Sequence, residues 1–353
     1  MPYTRILLVL LTISVILPVS AQESVDSASK FIEFDDTPLI EDIVLPDWFK
    51  LSFLELDADI EDLVQGKKQG LILYFGQKDC PYCKTHLEKN WRDRGIVSYT
   101  REHFDVVAID VLGQRAVVDV KGRRHASEKA FANSLKTQFT PTLLFYDGTG
   151  KEVLRLSGYY PPYQFRAALE YVADRHYRRE TLRDYLKRAE GVAGFDESEL
   201  NTHPSFSSPP YALQRNRFNA SQPLIVFFEQ ASCHACDVLH SGPLADPGIR
   251  KQLQGFEVVQ LDMDAETAVV TPEGTRSTAR AWARDLGLYY APTLVFYNES
   301  GSEIMRVDSV IRFYRLKNLL TYVSSRAYET EPSFQVWRQK TRSRKSRLES
   351  GRP

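Results

Sequence analysis

All four cysteines of this 353-residue chain fall in two Cys-x-x-Cys motifs, Cys80-Pro81-Tyr82-Cys83 and Cys233-His234-Ala235-Cys236. Each motif is followed by an X-Pro dipeptide entering an apolar run, Thr140-Pro141 in one half and Ala291-Pro292 in the other. From first cysteine to proline is 61 positions in the first half and 59 in the second. Three further landmarks keep register between them. Phe104–Asp110 matches Phe256–Asp262, Ala116–Gly122 matches Ala268–Gly274, and the helical stretch 127–137 matches the one containing Ala281–Leu286. Such a pattern restricts the chain to two copies of one unit joined in tandem, an internal duplication.

Within each unit an apolar strand run (Leu71–Phe75, Pro223–Phe228) ends in a short polar turn, and the cysteine pair opens a helix. Pro81 takes the first helical position, where a missing N–H costs nothing. Cys80 then lies where unpaired N–H groups and the positive end of the helix dipole favour a thiolate. A thiolate with a second cysteine one turn away can attack a disulfide and be resolved internally. Structural disulfides would be spread along an exported chain, so four cysteines confined to two such pairs point to redox catalysis or to metal.

The order of elements is strand, CxxC helix, strand, helix, X-Pro strand, strand, helix. This predicts an α/β fold: two tandem domains, each a central mixed sheet flanked by helices. The expected boundaries are residues 46–176 for the first domain and 221–327 for the second, with a connector helix and polar linker at 177–220. A helix is expected from Trp48 to Val64 on its apolar spacing. Residues 22–45 read as a loose acidic extension. The tail, 328–353, carries seven Lys/Arg from Arg338 onward against Glu349 and reads as basic and disordered. Net charge is −1, which argues against a nucleic-acid partner.

Residues 1–21 have the form of a secretory signal: Arg5, an apolar run from Ile6 to Leu17, then Pro18-Val-Ser-Ala21 before Gln22. The run is shorter than the roughly 20 residues a membrane span needs, so no transmembrane span is expected in the mature chain. A bacterial periplasm is the expected location.

A strand, a CxxC at a helix start, and a Thr-Pro or Ala-Pro some 60 residues later resemble the thioredoxin superfamily, in particular its periplasmic thiol:disulfide interchange branch. The resemblance implies that Cys80 and Cys233 are nucleophiles and that Cys83 and Cys236 resolve the mixed disulfide. It implies that Pro141 and Pro292 are cis and that Thr140 and Ala291 pair with an extended substrate segment. Pro81-Tyr82 and His234-Ala235 would tune the thiol pKa and the redox potential. Thioredoxins carry a buried Asp six residues before the first cysteine, whereas Tyr74 and Phe227 stand there in this chain. Gly158 after the returning strand matches the family, and Ser309 in its place in unit two suggests a diverged groove. Unit one is the closer match.

The expected function is therefore an exported thiol:disulfide oxidoreductase acting on protein thiols and disulfides. The cysteine pairs are the redox group and no other cofactor is expected. A reductase role outside the cytosol would need a membrane electron-transfer partner. The alternative is a non-catalytic binding module or copper-handling chaperone using the CxxC pairs as ligands. No metal site is expected: the pairs lie 153 residues apart, each inside its own unit. His240, four residues beyond Cys236, is read as a helix-surface residue rather than a ligand. Tyr159–Tyr163 is read as packing the last helix on the sheet rather than as a partner surface.

Overall fold

The computed structural model describes residues 32–189, 199–217 and 219–350. The expected signal, residues 22–31 and part of the linker lie outside the described residues.

The first unit contains α1 (Leu56–Gln65), β1 (Gly70–Gly76), α2 (Pro81–Thr85), α3 (Arg94–His103) and β2 (Phe104–Asp110). It continues with β3 (Val117–Val118), β4 (Arg124–His125), α4 (Glu128–Ser134), β5 (Thr142–Asp147), β6 (Glu152–Ser157) and α5 (Pro162–Ala173). A connector helix α6 (Leu182–Ala189) follows. β1 is buried along its whole length, as expected of a central strand covered on both faces. It runs parallel to β2 and antiparallel to β5, giving the order β2-β1-β5-β6. The parallel pair needs a crossover, and α2 and α3 supply it. α2 passes directly into a π turn, His86–Asn90. Side chains fix the starts of the later helices: Asp93 accepts from the Ile96 N–H and Ser127 from the Ala130 N–H.

The second unit repeats the plan. It holds β7 (Tyr211–Ala212), β8 (Leu224–Glu229), α7 (His234–Ser241), α8 (Pro247–Leu253), β9 (Glu257–Asp262), β10 (Ala268–Val270) and β11 (Arg276–Thr278). After these come α9 (Ala279–Asp285), β12 (Thr293–Tyr297), β13 (Glu303–Val307), α10 (Phe313–Ser324), α11 (Ala327–Thr330) and α12 (Phe334–Ser350). Its main sheet is ordered β13-β12-β8-β9, the counterpart of the first. No helix among the described residues is long and apolar enough to cross a membrane.

Several expectations at the edges are corrected. The helix expected from Trp48 begins only at Leu56, because Leu54 sits at φ 64°, outside the right-handed helical region. The extension is not loose over 32–36: Ile32 and Asp36 are buried, and Phe34 packs edge-on to Tyr82, whereas Ile40 and Val44 farther along are exposed. The segment bridges both domains: Phe34 packs on Tyr82 and Tyr159 of the first, and Asp36 accepts the Tyr314 and Arg315 N–H groups of the second. The end of the linker belongs to the second domain, since β7 pairs with β10 and Leu213 is buried. The tail is helical from Phe334 to Ser350. Phe334 and Val336 are buried, and Arg342 pairs with Asp79 across the domains.

The two units pack face to face and exchange equivalent parts. Phe139, two residues before Pro141, lies in the core of the second domain with Phe227, Leu316 and Phe334. Tyr290, two residues before Pro292, lies in the core of the first beside Tyr160. The Val310 N–H donates to the Tyr159 carbonyl at 3.2 Å, and a Cβ at Gly158 would collide with Ser309. Equivalent residues meeting one another is the signature of an isologous interface, built here within one chain.

Candidate redox sites

Both cysteine pairs are disulfides, Cys80–Cys83 and Cys233–Cys236, each with Cα atoms 5.2 Å apart. In each, the first cysteine is the N-cap of its helix. Cys80 Sγ accepts the Cys83 N–H at 3.0 Å and Cys233 Sγ accepts the Cys236 N–H at 3.1 Å. A sulfur holding an orphan helix N–H is placed where negative charge is best tolerated. The second cysteines are fully buried, while Cys80 is 3% and Cys233 9% exposed. The Thr140–Pro141 and Ala291–Pro292 bonds are cis. Cys80 Sγ lies 3.5 Å from the Thr140 carbonyl oxygen, so the first cysteine pair and its X-Pro loop are brought together.

The first site is roofed by the second domain and by the N-terminal segment. The Tyr82 hydroxyl donates to Asp36 Oδ2 at 2.9 Å and accepts the Arg312 N–H at 2.9 Å. Asp36 also accepts the N–H groups of Tyr314 (2.9 Å) and Arg315 (2.7 Å), which satisfies the start of α10. The Arg315 guanidinium lies over the Tyr82 ring, 3.3 Å from its centroid, and Nη2 donates to the Thr140 carbonyl at 3.0 Å. Burial holds the Tyr82 hydroxyl well above the usual phenol range. Beneath α2, His86 stacks on Tyr74 and meets Trp91 and Phe165 edge-on, and burial pushes its pKa down to about 3.

The second site opens into a cavity of about 160 Å³. Cys233, His234 and Ala291 of the second unit line it, with Tyr163 and Gln164 of the first unit and Leu186 of the connector helix. His234 Nε2 and Gln164 Oε1 are buried without a hydrogen-bond partner among the described residues. His240 is not a surface residue. Its Nε2 lies 3.0 Å from Glu229 Oε1, and Glu229 is fully buried at the end of β8, where it also accepts from Gln260 Nε2 at 2.8 Å. A buried carboxylate must be satisfied, and the imidazole and amide do so. An apolar strand ending in Glu is the signal that could have revealed it. Among the described residues no group of three or more His, Cys, Asp or Glu is placed to hold a metal ion.

Two sequence readings change here. Ser309, expected to mark a diverged groove, packs against Gly158 of the other unit. Tyr160 does not serve its own helix alone: its hydroxyl lies 2.9 Å from the Tyr289 hydroxyl and donates to the Asp308 carbonyl at 2.7 Å, so the aromatic run is a contact surface for the second domain.

A family model described as a thioredoxin-like domain matches residues 56–173 and 212–324. Among solved structures, the chain is similar to a thioredoxin-fold protein from Helicobacter pylori, at 26% identity and TM-score 0.32, over 36% of this chain and 88% of that one. It is similar to a thioredoxin from Thermus thermophilus at 24% identity and TM-score 0.26, over 33% and 82%. A DsbH oxidoreductase aligns at 15% identity and TM-score 0.27, over 37% and 91%. No curated protein matches the chain.

Proposed function

Since the chain belongs to the thioredoxin-like domain family, represented once in each half, we propose that it is an exported thiol:disulfide oxidoreductase acting on protein thiols and disulfides. One observation carries this reading: in both halves a cysteine pair closes as a disulfide at a helix start, the first sulfur capping the helix. In the reducing direction, the Cys80 or Cys233 thiolate attacks one sulfur of a substrate disulfide. That S–S bond breaks, the other substrate sulfur leaves as a thiolate and takes up a proton, and a mixed disulfide forms. Cys83 or Cys236 then gives up its proton, attacks the first cysteine and expels the second substrate sulfur. Two electrons pass from the pair to the substrate, and oxidation is the reverse.

Thr140 and Ala291 serve as backbone pairing points for the substrate segment, with Pro141 and Pro292 lining the groove. Pro81-Tyr82 and His234-Ala235 tune the thiolates. The cysteines are the only redox group the reaction needs. Export to a periplasm rests on the form of residues 1–21, and a reductase there draws electrons from a membrane partner.

The test is to replace Cys83 and Cys236 singly by Ser in the mature chain and isolate mixed disulfides with periplasmic proteins. Covalent adducts that dithiothreitol releases support the proposal. No adduct from either variant, with stoichiometric metal on the purified protein, would overturn it.

A further inference from the structure

Arg315 is 4% exposed, yet among the described residues no carboxylate forms an ion pair with it. A guanidinium remains charged in a protein interior, and burying one that is not directly ion-paired is costly even with the Asp36 carboxylate nearby. Its surroundings are the Tyr82 ring, the Thr140 carbonyl, Ser309 Oγ at 3.5 Å and the Phe139 ring. The same Thr140 oxygen that accepts from Arg315 Nη2 lies 3.5 Å from Cys80 Sγ. The cation and the Cys80 sulfur thus share one carbonyl oxygen, and that sulfur, neutral in the disulfide, becomes an anion when the pair is reduced.

We propose that Arg315, reaching across from the second domain, is the charge partner of the Cys80 thiolate, so that one domain sets the redox behaviour of the other. This rests on reading Cys80–Cys83 as a redox pair. Reduction by a substrate dithiol, itself oxidised to a disulfide, breaks the Cys80–Cys83 bond. It leaves two electrons on the two sulfurs, Cys83 as thiol and Cys80 as thiolate. In a water-poor site the attraction between guanidinium and thiolate is strong.

The other charges around the site do not cancel this. Arg312, just before α10, and the half-buried Arg338 of α12 add positive charge. On the cysteine's own side Asp79 is paired with Arg342, and Lys84 is exposed beside Glu88. Asp36 is the one carboxylate facing Tyr82 and Arg315, and it partly offsets the cation. In the second site the position equivalent to Arg315 is Gln164, which is uncharged, so the pairing is specific to the first. Arg315 is a positioning residue: it acts on the Cys80 thiolate from the Thr140 carbonyl it holds.

The experiment uses the full chain carrying Cys233→Ser and Cys236→Ser, so that only the first pair titrates. Thiolate absorbance is followed against pH, and the pair is equilibrated with glutathione. In Arg315→Gln the lower thiolate titration moves up by about one pH unit or more. Above both thiol pKa values the glutathione equilibrium moves about tenfold toward the disulfide. Arg315→Lys keeps most of the parent behaviour. Asp36→Asn, which leaves Arg315 in place, shifts both readouts the opposite way. Unmoved readouts in folded Arg315→Gln, or an upward shift in Asp36→Asn, overturn the proposal. So does an equal shift of Cys233 when Arg315→Gln is placed in a Cys80→Ser, Cys83→Ser chain. If the parent pair exchanges with glutathione in neither direction, the redox reading itself fails and this proposal falls with it.

Discussion

Phe139 of the first domain is packed in the core of the second, and Tyr290, its counterpart two residues ahead of the other cis proline, is packed in the core of the first. Each aromatic side chain buries a large apolar surface in a core it does not share by sequence. Truncating such a residue costs about 3–5 kcal/mol. Phe139→Ala is thus expected to destabilise the second domain and Tyr290→Ala the first, read by hydrogen exchange of each domain's central strand. Losses confined to the mutated residue's own domain would show that the exchange of aromatics is not energetic.

Gly158 has φ 122°, and a Cβ there would stand 2.7 Å from Ser309 Cβ. Gly158→Ala meets both backbone strain and a clash with the facing unit. The variant is expected to part the domains and to speed alkylation of reduced Cys80 toward the rate of Cys233, the more exposed of the two in the parent. Unchanged alkylation with unchanged stability would count against a closed first site.

His86 is 1% exposed, and burial lowers its pKa from 6.5 to about 3. The folded form keeps it neutral while the unfolded chain binds a proton below pH 6.5. Stability from this group is therefore complete above that pH and falls as pH drops toward 3, by up to about 1.4 kcal/mol per pH unit. His86→Leu, which copies the equivalent Leu239, should flatten that part of the acid-unfolding curve. An unaltered slope between pH 6 and pH 4 in the variant would assign the acid sensitivity elsewhere.

The Glu229–His240 pair has side chains 0% and 8% exposed. Removing one member of a buried hydrogen-bonded pair costs about 3–5 kcal/mol because the other is left unsatisfied. Glu229→Ala should lower the unfolding midpoint of the second domain by that order, while the first domain, with Gly76 in the equivalent place, should be unmoved. Calorimetry in which both transitions fall together would instead mean that the domains unfold as a unit.

Much of each unit was legible because its signals are local. The apolar run of β1, Pro81 at the first helical position and the spacing from Cys80 to Pro141 needed no knowledge of distant residues. The misreadings came where long-range packing decides. Phe334 and Val336 begin a segment that is basic in composition, yet both are buried, Phe334 in the core of the second domain. Ile32 and Asp36 sit in an acidic, polar stretch, yet both are buried: Asp36 closes the first site and Ile32 lines the cavity at the second. His240 reads as a surface residue from its own helix, yet it is paired with the buried Glu229, eleven positions earlier.

The sequence alone determined the duplication, the mixed α/β layers, the two cysteine pairs at helix starts and the X-Pro strands, since all of these follow from periodicity and from the geometry of single residues. Only the tertiary structure decided how the two units face one another. That choice placed Ser309 against Gly158, and Arg315 over Tyr82 and on the Thr140 carbonyl. The physical reason is that an interface is a property of two surfaces at once: neither surface's pattern, read along its own strand or helix, contains the shape and charge of the other.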